Sequence, residues 1–110
     1  MIRAANLGFP RIGRNRELKK ATEAYWAGES DAARLGETAR QLRRQTWQEQ
    51  LDAGLDVIPS NDFSFYDQVL DTTAMLGAVP PRFQSGEHAL NAGTVDLDTY
   101  FAMARGTDDA

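Results

Sequence analysis

With 110 residues, 42% of them hydrophobic and 25% charged, the chain has room for one soluble globular domain at most. Zero cysteines exclude disulfides and thiolate metal sites, and with a single histidine, His88, the usual zinc site cannot be assembled from this chain alone. The formal net charge of -4 hides a division: residues 1–50 carry ten Lys/Arg and six Asp/Glu, whereas residues 51–110 carry two and ten.

A basic half and an acidic half can pair with each other, or the basic half can face an anionic partner. The overall acidic balance and the lack of a recognised motif argue against a nucleic-acid partner. No apolar run approaches the roughly 18 residues of a membrane span, and Met1–Ala5 lacks the apolar stretch of a secretory signal. A cytoplasmic protein without a membrane partner is expected.

The first element expected is a short strand from Arg3 to Leu7, ended by Gly8 and Pro10. After the Gly8–Gly13 loop, Asn15 is the expected N-cap of a helix from Arg16 to about Trp26, with Leu18, Ala21 and Tyr25 as its apolar stripe. Ser30 or Asp31 can cap a second helix running to about Ala53, in which Leu35, Ala39, Leu42 and Thr46 share a face; Gly54 stops it. Leu55–Pro59 reads as a second strand, followed by the polar turn Ser60-Asn61-Asp62. Ser64 with Asp67 matches a capping box, predicting a helix to about Leu76 with Phe65, Val69, Thr73 and Leu76 on one face. Residues 78–95 show no period and read as a long irregular connection. Asp96 can cap a last helix from Leu97 to about Ala104, ended by Gly106.

The order β-αα-β-α-coil-α predicts an α/β protein with two short parallel strands. Ligands of such sheets sit at the carboxyl ends of the strands. Parallel strands would bring the loops Gly8–Asn15 and Ser60–Phe63 to one rim, placing Arg11, Arg14, Arg16, Lys19, Asn61 and Asp62 within reach of one pocket. Arg11, Arg14, Arg16, Lys19 and Lys20 lie within ten positions against a single acid, Glu17. Cations at a helix start oppose the macrodipole, whereas together with free helix N–H groups they suit a multiply charged carboxylate or phosphate ligand. An exposed helix start with solvated cations accounts for the same pattern. Asn61 and Asp62 read equally as ligand hydrogen-bonders and as turn formers. Asp67 and Asp71 are acid/base candidates or a solvated face. Arg40, Arg43 and Arg44 read as a solvated or salt-bridged surface, Tyr25 and Trp26 as core, and His88 as surface.

Three blocks carry a family resemblance. Leu7-Gly8-Phe9-Pro10-Arg11-Ile12-Gly13 followed by Arg16-Glu17-Leu18-Lys19-Lys20-Ala21 resembles the amino-terminal signature of cobalamin-independent methionine synthase. Asn61–Thr72 and Asp96–Gly106 resemble two further blocks of that family, in its order and spacing. The resemblance implies a zinc-dependent methyltransferase that moves a methyl group from 5-methyltetrahydropteroyltri-L-glutamate to L-homocysteine. It implies two (β/α)8 barrels, of which residues 1–110 would be the opening portion of the first. It assigns Arg16, Glu17, Leu18 and Lys19 to the folate, whose polyglutamate tail is the anion the charge pattern asks for. Zinc and homocysteine belong to the carboxyl-terminal barrel, with no ligands here, so the chain by itself is expected to be inactive. A free-standing, non-catalytic protein that binds an anion or a partner is the rival reading.

Overall fold

The computed structural model describes residues 1–84 and 94–107, which divide into two compact units, Met1–Phe65 and Tyr66–Ala110. The described residues are helix-rich, with four α-helices: α1 (Glu17–Trp26), α2 (Ala32–Asp52), α3 (Gln68–Met75) and α4 (Leu97–Arg105).

In the first unit α1 and α2 pack against each other and bury Leu18, Thr22, Leu35, Ala39 and Leu42. Leu35, Ala39 and Leu42 are the stripe expected of α2. Thr22 joins the core because its hydroxyl donates to the carbonyls of Leu18 and Lys19, at 3.0 and 2.9 Å, so no polar group is left unpaired. The Asp31 carboxylate caps α2, accepting from the Arg34 N–H at 2.8 Å.

The two expected strands do not form among the described residues. In their place stands one isolated parallel bridge, Ala5 to Val57. The hydrogen bonds explain why it does not spread. The Ala4 carbonyl accepts from both the Asp56 and Val57 N–H groups, at 2.9 and 3.1 Å. The Ala4 N–H donates to the Asp56 carboxylate at 2.7 Å, so a side chain takes a backbone donor that a ladder would use. Leu7 and Val57 stay exposed. Gln50, only 2% exposed, accepts from the Asn6 amide at 2.9 Å and donates to the Thr46 carbonyl at 3.0 Å. It thereby ties the amino-terminal segment to α2.

The start of α1 also differs from expectation. Asn15 is not its cap. Arg16 occupies that position in a left-handed conformation, φ 60° and ψ 37°, without any side-chain cap. The Glu17 carboxylate folds back instead and accepts from the Asn15 N–H at 3.1 Å. Gly13 makes room for it: φ is +88°, and a Cβ there would stand 1.9 Å from Glu17 Oε2 and 3.0 Å from Leu42 Cδ2.

In the second unit α3 is shorter than expected. Its cap is Asp67, whose carboxylate accepts from the Leu70 N–H at 2.7 Å. Ser64 is buried outside the helix, so the capping box is not made. The expected apolar face of α3 is not buried either, and Val69, Met75 and Leu76 are exposed. Val79, Phe83 and Ala102 form the core there, with Val95 and Met103 packed against them. Val79 and Phe83 come from the stretch expected to be irregular, which contains a 3-10 turn at Pro81–Phe83. His88 lies outside the described residues. Asp96 caps α4 as expected, accepting from the Thr99 N–H at 2.7 Å.

Asp71 is not a solvated acid. It accepts from the buried Tyr100 hydroxyl at 2.5 Å, and that hydroxyl accepts from the Tyr66 N–H at 3.1 Å. Burial first, then the Asp71 carboxylate, raise the Tyr100 pKa. A folded-state pKa above the unfolded value of about 10 favours the protonated phenol, so its contribution is complete below that pH and is lost as pH rises through the folded value. Thermal stability should therefore fall above pH 10 in the wild type. Tyr100→Phe should lower stability by about 1–3 kcal/mol near neutrality and flatten that alkaline loss, as read by thermal melts across pH. At the other unit's loop, Gly13→Ala should cost about 2 kcal/mol or more, because the new methyl meets Glu17 and the backbone is left-handed. A melting temperature equal to the wild type would refute the fold-back of Glu17.

Candidate functional site

The loops after the two bridge segments do meet. The Asp62 carboxylate accepts from the Phe9 N–H at 2.8 Å, with Gly8 close beside it. Asp62 therefore acts as a tie between loops, a reading that its place in a polar turn left open. Phe9, Arg11, Arg43, Asp62 and Phe63 surround a gap of about 10 Å³ there, room for one water at most. The Arg43 guanidinium lies over the Phe63 ring at 5.1 Å, and Phe63 meets Phe65 edge-on at 5.6 Å. Sequence reasoning left Arg43 as surface, because nothing local to residues 40–44 signals a ring twenty positions on.

The expected single pocket is thus divided. Arg11 and Asp62 share the small gap, whereas Arg16, Lys19 and Asn61 do not line it. Arg14 pairs with Glu49 of α2 at 3.2 Å and fastens the basic loop to that helix. Arg40 is salt-bridged to Glu37.

The four residues assigned to the ligand, Arg16 to Lys19, stand together at the start of α1 but serve different ends. Arg16 is exposed and is the one non-glycine residue with positive φ among those described. Such conformations in non-glycine residues persist where the surroundings impose them, and they cluster at binding sites. The Glu17 carboxyl is held below its usual pKa by its own backbone N–H, against an opposing effect of partial burial, and further by the Asn15 N–H and the Lys20 ammonium. Leu18 is buried, and its N–H donates to the Ile12 carbonyl at 3.0 Å, so it anchors the turn from below. Lys19 reaches along its helix to Glu23 at 3.5 Å, both side chains about half exposed. Exposed pairs of this spacing contribute about 0.3–0.5 kcal/mol, so a multiply charged ligand can displace Glu23.

A zinc ion does not fit the described residues: no group of three His, Cys, Asp or Glu side chains could hold a metal ion. Among them, no helix is long and apolar enough to cross a membrane.

Comparison with known proteins gives the family of the chain. Residues 3–110 match the family described as cobalamin-independent synthase, N-terminal domain. The chain is 55% identical over 109 residues to the 5-methyltetrahydropteroyltriglutamate--homocysteine methyltransferase of Salinibacter ruber, covering 99% of this chain and 14% of that one. It is 60% identical over 105 residues to the Mesorhizobium japonicum protein of the same name, covering 96% and 13%. It is 53% identical over 110 residues to a probable enzyme of that name from Schizosaccharomyces pombe, covering 100% and 14%. The chain spans about one-seventh of the length of these relatives. With a family match from residue 3 to residue 110, the chain belongs to the cobalamin-independent synthase family, through its amino-terminal domain.

Proposed function

We propose that residues 1–110 are the opening portion of the amino-terminal (β/α)8 barrel of a cytoplasmic methyltransferase, cobalamin-independent methionine synthase. That enzyme moves a methyl group from 5-methyltetrahydropteroyltri-L-glutamate to L-homocysteine, making methionine. The names of the relatives supply donor and acceptor, and the parallel sense of the Ala5–Val57 bridge agrees with adjacent barrel strands. In this reading Leu7, Val57, Val69 and Leu76, exposed here, are covered by other barrel segments. Any zinc that served homocysteine would have to be held by side chains outside the described residues. The part played by residues 1–110 is to hold the folate's polyglutamate tail.

The observation that carries the tail assignment is Arg16, a left-handed arginine at a helix start that has no side-chain cap. Glycine would hold that conformation without strain, whereas an arginine held there costs about 1–2 kcal/mol. A guanidinium aimed at a carboxylate gives the strain a use, because bidentate charge-assisted hydrogen bonds are the strong ones. Lys19, three positions on, binds a second carboxylate once released from Glu23. Glu17 keeps its carboxylate on the loop, which holds Arg16 in place and orients it. Leu18 fixes the turn on the core. Residues 16–19 bind and orient the tail, and no covalent step falls to them.

In the full-length enzyme, Lys19→Ala should weaken the triglutamate folate about ten- to a hundredfold, the loss of one charge-assisted contact. The monoglutamate form should change little, as read by equilibrium binding. Equal losses for the two would refute the tail assignment. Arg16→Gly should leave the melting temperature unchanged or raised, because it relieves the left-handed strain, while triglutamate affinity falls by a similar factor. A lowered melting temperature would mean that Arg16 is held for packing instead.

A further inference from the structure

The hairpin turn between α1 and α2 sets two opposite charges on one groove. Gly28, with φ of +74°, reverses the chain after α1, and the Glu29 N–H closes onto the Ala24 carbonyl at 2.9 Å. Asp31 then caps α2 through the Arg34 N–H. Glu29 and Arg34 therefore leave backbone that is fixed by hydrogen bonds. Both line a groove of about 510 Å³ between the two helices, wholly within the first unit. The small side chains of Ala21 and Ala24 keep it open, and with Leu42 they give it an apolar part. Its volume falls within the roughly 300–1,000 Å³ of small-molecule sites.

Two carboxylates and two cations line the groove, Glu17 and Glu29 with Lys20 and Arg34, but the four are not equivalent. The Lys20 ammonium acts on the Glu17 carboxylate, which also accepts from the Asn15 N–H. Those two charges offset each other. Glu29 and Arg34, both exposed, form no ion pair among the described residues, whether with each other or with another group. Opposite charges that share a groove and do not meet favour a ligand carrying both signs. An anion alone would gain from Arg34 and be repelled by Glu29, and a cation alone would meet the reverse. A zwitterion gains from both.

We propose that this groove binds a free α-amino acid with an apolar side chain. The Arg34 guanidinium donates to the carboxylate in charge-assisted hydrogen bonds. The Glu29 carboxylate accepts from the ammonium. The side chain lies on Ala21, Ala24 and Leu42, the apolar part of the lining. Arg16 and Lys19 do not line the groove, so its occupancy asks nothing of the proposed tail contacts.

The test uses the full-length enzyme and equilibrium binding of L-norleucine, an α-amino acid with a straight apolar side chain. L-Norleucine should bind saturably, with a Kd below about 1 mM. Hexanoate, which lacks the ammonium, and pentylamine, which lacks the carboxylate, should each bind at least about tenfold more weakly. Arg34→Gln and Glu29→Gln should each weaken norleucine binding about tenfold, and Arg34→Lys should retain most of the affinity. All three variants should melt as the wild type does, because both side chains are exposed. Binding that is absent, or that both glutamine variants leave unchanged, overturns the site; in the second case the amino acid sits elsewhere in the enzyme. Hexanoate or pentylamine binding as tightly as norleucine overturns the zwitterionic class.

Discussion

The first unit depends on where the Glu17 carboxylate goes. Four cations follow or precede it within five positions, at the end of a helix where positive charge is unfavourable. Turned outward, Glu17 would be one more solvated acid. Folded back over Gly13, it accepts from the Asn15 N–H and sits where the helix start wants negative charge. That placement lets Arg16 cap the helix without a capping side chain and leaves the neighbouring cations to face outward. Gly13 is part of the same device, since the space that a side chain would fill is occupied by the carboxylate.

The basic loop is held at three separate points. Asp62 takes the Phe9 N–H, Arg14 reaches Glu49, and the Leu18 N–H closes onto Ile12. The first and third are part-buried or backbone bonds, each contributing about 1 kcal/mol, whereas the exposed arginine pair adds less. The loop's geometry therefore rests mainly on Asp62 and on the seating of Leu18 in the core. Neither Arg16 nor Lys19 is among these three ties.

How much of this was legible in the sequence follows from the range of each interaction. The helix hairpin could be read because Leu35, Ala39 and Leu42 repeat at helical spacing and Asp31 caps locally. The caps Asp67 and Asp96 act over three residues; Asp96 fell where expected, and Asp67 was seen but assigned as the partner of Ser64. Single-residue patterns could not show that Asp56 would take the Ala4 N–H and halt a ladder, or that Asp62 would bond a residue 53 positions away. Asp71 looked solvated because Tyr100 is distant in sequence. The apolar face of α3 was legible as a pattern, but a pattern does not say what covers it. Arg16 and Lys19 stood out by charge, as two of five cations, whereas Glu17 and Leu18 were added by the family resemblance; the left-handed Arg16 was not legible, because arginine does not signal that conformation.

The division of labour among these four residues bears on why a charge cluster can be specific at all. Four mobile cations would attract any polyanion, with an affinity set by salt and little else. Here one position is conformationally fixed, one is turned inward, one is buried, and one is held in a weak pair along its own helix. On the proposed tail reading, a ligand would gain most when its carboxylates match the spacing between an arginine with a fixed backbone and a displaceable ammonium one turn apart, as a flexible chain of regularly spaced carboxylates can. In that reading the fixed backbone of Arg16 would lower the entropy lost on binding, while the Lys19–Glu23 pair would remove affinity from ligands too weakly charged to displace Glu23. On the proposed tail reading, discrimination by tail length would rest on backbone geometry at a single residue, paired with an exposed salt bridge weak enough to yield.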